Sequence, residues 1–134
     1  MGMKNEAESS PDGLVDKRRV MLIDDDREIL DLLAEWLGGR GYEVRTLCEV
    51  THAIREAHAF QPHVVVLDGV LRGTTGMAVA ERLRAEGIES RIVFLSGLSR
   101  SELPSSEVVL EKPIDLQLLE RTLAETARRG GTAP

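Results

Sequence analysis

Four short runs of apolar residues punctuate the chain: Val20-Met21-Leu22-Ile23, Val64-Val65-Val66-Leu67, Ile92-Val93-Phe94-Leu95 and Val108-Val109-Leu110. None alternates with polar residues, so each suits a strand buried on both faces rather than one washed by water on one side. The segments between them carry apolar residues at helical spacing instead. Ile29, Leu30, Leu33, Trp36 and Leu37 line residues 26–40, where Gly38, Gly39 and Gly41 supply stop signals. Met77, Val79, Ala80 and Leu83 line residues 76–86, and Leu116, Leu119, Leu123 and Ala127 line a final helix. Residues 42–47 read as a further strand, and 51–60 as a short helix broken at Pro62. Strands alternating with helices across short linkers predict an α/β fold with five parallel strands and right-handed crossovers. Residues 97–107 are too short and too interrupted for a full helix, which predicts a loop or a single turn there.

The residues directly after each apolar run are more specific than the runs themselves. The first run delivers Asp24, Asp25 and Asp26, the strand at 63–67 delivers Asp68, the next delivers Ser96, and the last leads into Glu111, Lys112 and Pro113. In an open parallel sheet the carboxyl ends of the strands share one rim, where ligands bind. Clustered acids, an isolated Asp, a hydroxyl and an ammonium on one rim outline a site for handling phosphoryl groups, with a cation to neutralise the acids. Each residue also has an ordinary reading. An Asp at this place caps the next helix, Asp68-Gly69 and Ser96-Gly97 suit turns, and a lone Lys112 suits the surface. One Asp suffices for a cap, however, and four coincident strand ends argue for a site. His52, His58 and His63 have no metal-ligand spacing with Cys48 and read as surface or packing residues, while Trp36 reads as core.

Composition narrows the classes. The 134 residues, 42% of them hydrophobic, allow one core, and a net charge of −6 argues against non-specific binding to nucleic acid or membranes. Cys48 stands alone, so no intrachain disulfide forms, and no membrane span or signal-peptide pattern is visible; a cytoplasmic protein is expected. Residues 1–17 are polar and read as a disordered tail, residues 18–128 as one domain, and residues 129–134 as a second tail.

Taken in order, Asp24-Asp25, Asp68 with Gly76 eight positions on, Ser96-Gly97 and Lys112-Pro113 resemble the motifs of receiver domains from two-component response regulators. The resemblance spans about residues 18–128, nearly the whole of the expected folded part. It implies a doubly wound, flavodoxin-like sheet in order 2-1-3-4-5. It further implies that Asp68 accepts a phosphoryl group from a histidine kinase or phosphotransfer protein, in a signalling domain whose chemistry is limited to self-catalysed phosphotransfer and autodephosphorylation. Mg²⁺ would be held by Asp25, Asp68 and the main-chain carbonyl of Val70, with Asp24 acting through water. Ser96 and Lys112 would bind the phosphoryl oxygens, and a downstream protein would read the change.

The chain departs from the family pattern at Arg72, where Pro is common, and at Val109, where an aromatic switch residue is usual. With a short stretch between Ser96 and Lys112, signalling is expected to run through ordering of residues 97–107 rather than an aromatic flip. Two alternatives stay open: a receiver-fold binding module that works without phosphorylation, and a phosphatase resembling the haloacid-dehalogenase group, with Asp24 as nucleophile and Asp26 as acid/base. The second is opposed by the lack of a later strand ending in an acidic pair.

Overall fold

The computed structural model describes residues 17–97 and 103–132, with backbone only from 127 onward. Five strands, β1 (Arg19–Ile23), β2 (Glu43–Leu47), β3 (Val64–Asp68), β6 (Arg91–Ser96) and β7 (Val108–Glu111), form one parallel sheet in the order β2-β1-β3-β6-β7. With the small hairpin β4 (Val70–Leu71) and β5 (Thr74–Thr75) set aside, this is the expected 2-1-3-4-5 arrangement. The helices are α1 (Arg27–Gly39), α2 (Ala53–Phe60), α3 (Gly76–Ala85) and α4 (Leu116–Thr132).

The period of two along each strand sorts side chains between two cores. Met21, Ile23, Val65, Leu67, Ile92, Phe94 and Val109 face Ala53, Ala57 and Phe60 of α2 and Val79, Ala80 and Leu83 of α3. Val20, Leu22, Val64, Val66, Val93 and Leu95 face Leu30, Leu33 and Leu37 of α1 and Leu119 and Leu123 of α4. Continuous apolar runs are therefore required, because both faces of the central strands are covered. Trp36 is half-buried against the second core with the Arg40 guanidinium 5.2 Å from its ring centre.

Of the three consecutive acids, Asp26 is the cap of α1: its Oδ1 accepts the N–H groups of Glu28 (2.9 Å) and Ile29 (3.3 Å). Asp26→Ala is expected to cost about 1 kcal/mol in a urea melt; an unchanged midpoint would contradict the capping role.

The sequence boundaries shift by one or two residues at several elements, and two differences are larger. The hairpin β4–β5 lies outside the expected elements, although Val70-Leu71 and Thr74-Thr75 flanking Arg72-Gly73 carry its signal: a two-residue turn with Gly73 at φ +80°. Helix α4 continues through Gly130 and Gly131 to Thr132, four residues past the expected boundary at 128. Glycine weakens a helix by about 1 kcal/mol relative to alanine but does not block it as proline does. Most of the expected N-terminal tail, residues 1–16, and residues 98–102 of the 97–107 stretch lie outside the described residues. The described part of that stretch holds no helix or strand, in keeping with the expected loop. No described helix is long and apolar enough to cross a membrane.

Candidate functional site

Strand order decides which residues meet. The chain leaves β1 for β2 on one side and returns to β3 on the other, so the carboxyl ends of β1 and β3 flank the switch point where a crevice opens. Ile23 pairs with Leu67, which places Asp24 and Asp68 each one residue past the same row of the sheet. Ser96 closes β6 opposite Glu111, and Lys112 comes directly after, its N–H donating to the Ser96 carbonyl at 2.9 Å.

Asp24, Asp25, Asp68, Ser96 and Lys112 are thereby brought to one rim. The Lys112 ammonium sits between two acids, 3.2 Å from Asp68 Oδ2 and 3.5 Å from Asp24 Oδ2. Asp24 is 4% exposed, and burial, more than any neighbour, pushes its carboxyl above the usual range; Asp68 adds repulsion, while the Asp26 N–H and Lys112 oppose the rise. Burial by itself would lower the Lys112 pKa, but Asp24 and Asp68 outweigh it and hold the ammonium above the ordinary lysine value. Ser96 is buried at 6% exposure.

A pattern missed in the sequence organises the acids: each has one oxygen held by a main-chain N–H. Asp24 Oδ1 accepts from Asp26 (2.9 Å), Asp25 Oδ2 from Arg72 (2.7 Å) and Asp68 Oδ1 from Val70 (3.2 Å). Two of these donors belong to the β4–β5 hairpin, which thus reaches both the β1 and the β3 acids. The hairpin is anchored by Leu71, 4% exposed in the first core, and by Thr75, whose Oγ1 accepts the Ala78 N–H at the start of α3.

Ordinary readings hold elsewhere. His63 Nδ1 accepts the Arg19 N–H at 2.9 Å, a packing role at the opposite end of the sheet. Val109 is buried in the first core. The described end of the 97–107 stretch is tied down by Leu103, packed on that core, and by Glu107, paired with Arg84 at 3.1 Å.

The donor set suits a hard cation. Asp24 Oδ2 is buried and accepts no hydrogen bond, and two carboxylates, those of Asp24 and Asp68, share the single Lys112 ammonium. Among the described residues no three His, Cys, Asp or Glu side chains form a ready-made metal cluster. A site built from two carboxylates, a main-chain carbonyl and waters would not require one.

Comparison with known proteins shows the family and the fold. The response regulator receiver domain family matches residues 20–124, and the chain belongs to that family. The transcriptional regulatory protein PrrA of Mycobacterium leprae is 33% identical over 128 residues, covering 89% of this chain and 54% of PrrA. The chain thus spans about half the length of that relative. Among solved structures, the receiver domain of a LuxO-type repressor from Vibrio parahaemolyticus shares the fold at a TM-score of 0.78 and 21% identity, over 86% of this chain and 93% of that one. The response regulator TrrA of Thermotoga maritima, solved with Mg²⁺ and BeF, matches at a TM-score of 0.72 and 26% identity, over 81% of this chain and 98% of that one.

Proposed function

We propose that this domain takes a phosphoryl group onto Asp68, from a histidine kinase or phosphotransfer protein, and that the resulting rearrangement switches binding to a downstream protein. The observation that carries this reading is the Lys112 bridge: one ammonium within 3.5 Å of both the buried Asp24 and the more accessible Asp68. An Asp68 oxygen attacks phosphorus as the bond to the donor's leaving atom breaks, giving an aspartyl phosphate and the released donor. Asp25, Asp68 and the Val70 carbonyl, with Asp24 through water, would hold Mg²⁺, which would supply neutralising charge to the phosphoryl oxygens. Lys112 leaves its carboxylate partner for those oxygens, and the Ser96 hydroxyl donates to them. The added charge, about −1.5 to −2, draws both groups toward Asp68, which shifts the ends of β6 and β7 that carry them.

Burial favours Asp68 over Asp24 as nucleophile: the Asp68 side chain is 13% exposed and that of Asp24 4%. This speaks against the phosphatase-like alternative, as does Asp26, whose carboxylate is engaged in capping α1. The binding-module alternative is separated by experiment. Intact mass after incubation with a small acyl phosphate and Mg²⁺ is expected to show a single phosphoryl adduct on wild type and none on Asp68→Asn. A folded wild type that takes up no adduct would favour the phosphorylation-independent module, and an adduct lost only in Asp24→Asn would restore the phosphatase-like reading.

A further inference from the structure

The three acids of the rim are not equally constrained. Asp24 is enclosed by the core, and Asp68 is gripped by both Val70 and Lys112. Asp25 is half-buried, and its side chain accepts a hydrogen bond from the Arg72 N–H, 47 residues away in sequence. At 2.7 Å that bond is short for an N–H donor, as expected when the acceptor is a carboxylate. Its donor is well fixed, because the Leu71↔Thr74 pairing leaves Arg72 and Gly73 as the two-residue turn of an anchored hairpin. Proline, which carries no N–H, cannot make this bond. The departure at Arg72 is therefore a change in what the backbone offers Asp25, apart from any effect of the guanidinium.

We propose that Arg72 is a positioning residue acting through its main chain: its N–H holds Asp25 Oδ2 and so presents Oδ1 to the cation of the phosphoacceptor site. The inference rests on the receiver reading above and adds to it the group that aims the metal-binding carboxylate. A free Asp side chain must give up rotamer freedom when it ligates an ion; a carboxylate already held through one oxygen gives up less. Hydrogen-bond partners of metal ligands commonly contribute about 10–100-fold in affinity.

The test compares two variants that both lose the guanidinium charge. Arg72→Ala keeps the N–H and Arg72→Pro removes it, so their difference reports the main-chain bond alone. Mg²⁺ titrated by calorimetry into the full chain, with folding checked by circular dichroism, is expected to bind Arg72→Pro about tenfold or more weakly than Arg72→Ala. Equal affinities in two folded variants overturn the inference while leaving the site intact; a wild type that binds no Mg²⁺ overturns the site reading as well. A second measurement does not depend on the proline variant folding. In wild type the Arg72 amide is expected to be protected from hydrogen exchange with and without Mg²⁺, and to lose protection in Asp25→Ala. Rapid exchange in wild type, or protection that survives Asp25→Ala, overturns the inference.

Discussion

Lys112→Met is expected to destabilise the fold by about 2 kcal/mol at neutral pH and to lose most of that deficit in acid. The substitution keeps the aliphatic stem and removes the ammonium, leaving Asp24 Oδ2 buried with no compensating charge and Asp68 nearby. Breaking a fully buried pair costs roughly 3–5 kcal/mol; the smaller figure reflects a Lys112 side chain that is 27% exposed. Because burial raises the Asp24 pKa in the folded state, the native protein binds that proton more readily than the unfolded chain does. Ionised Asp24 therefore weakens the fold progressively as pH rises through its folded value, and Lys112 offsets this. The raised Lys112 pKa means that its own contribution is complete at neutral pH and is lost only as pH rises through its folded value, above that of an ordinary lysine. In acid, Asp24 is neutral and no longer needs the ammonium. Urea melts of wild type and variant between pH 7 and about 4 measure this directly, and a deficit that stays constant across the range would refute it. Under the proposed function, Lys112→Met should also blunt the structural response to phosphorylation, since it removes the ammonium proposed to move toward the phosphoryl oxygens.

Gly76→Ala is expected to cost about 3 kcal/mol, although alanine is the better helix former. A Cβ at this position would overlap the Asp68 carbonyl oxygen and lie 3.1 Å from Gly69 Cα, and these are backbone atoms that cannot rotate aside. The start of α3 would have to retreat from the end of β3, breaking the 2.9 Å bond from the Gly76 N–H to the Gly69 carbonyl and displacing Asp68. The comparison is Gly38→Ala in α1, where a Cβ meets nothing within 4 Å and the change should be neutral or stabilising. Chemical denaturation of both variants decides the matter; a loss below about 1 kcal/mol at Gly76 would show that the two elements can part cheaply.

Gly76 also illustrates how far a sequence carries. Its spacing from Asp68 marks it as part of a motif, yet the reason for glycine is a close approach to the Asp68 and Gly69 backbone, a contact that the linear pattern does not announce. Asp24, Asp25 and Asp26 make the same point. Their clustering after an apolar run is visible at once, but their division into a buried acid beside Lys112, an acid held by Arg72 and a helix cap is not. Arg72 itself stands out in the sequence only as a departure from the family pattern; in the fold its N–H makes one of the shortest bonds of the rim.

The amino-acid sequence by itself determined the alternation of strands and helices, the parallel sheet, and the set of residues at the strand ends. These depend on local matters: unbroken apolar runs that only doubly covered strands tolerate, helical periodicity, and polar residues placed directly after each run. Only the tertiary structure decided which acid is buried, which partner each carboxylate oxygen takes, and that a two-residue hairpin turn governs Asp25. The bonds from Asp26 to Asp24 and from Val70 to Asp68 are local, but the contacts that join the rim lie between residues 44 to 88 positions apart, Asp68 with Lys112, Asp25 with Arg72 and Asp24 with Lys112, and they exist only once strand order and register have been set.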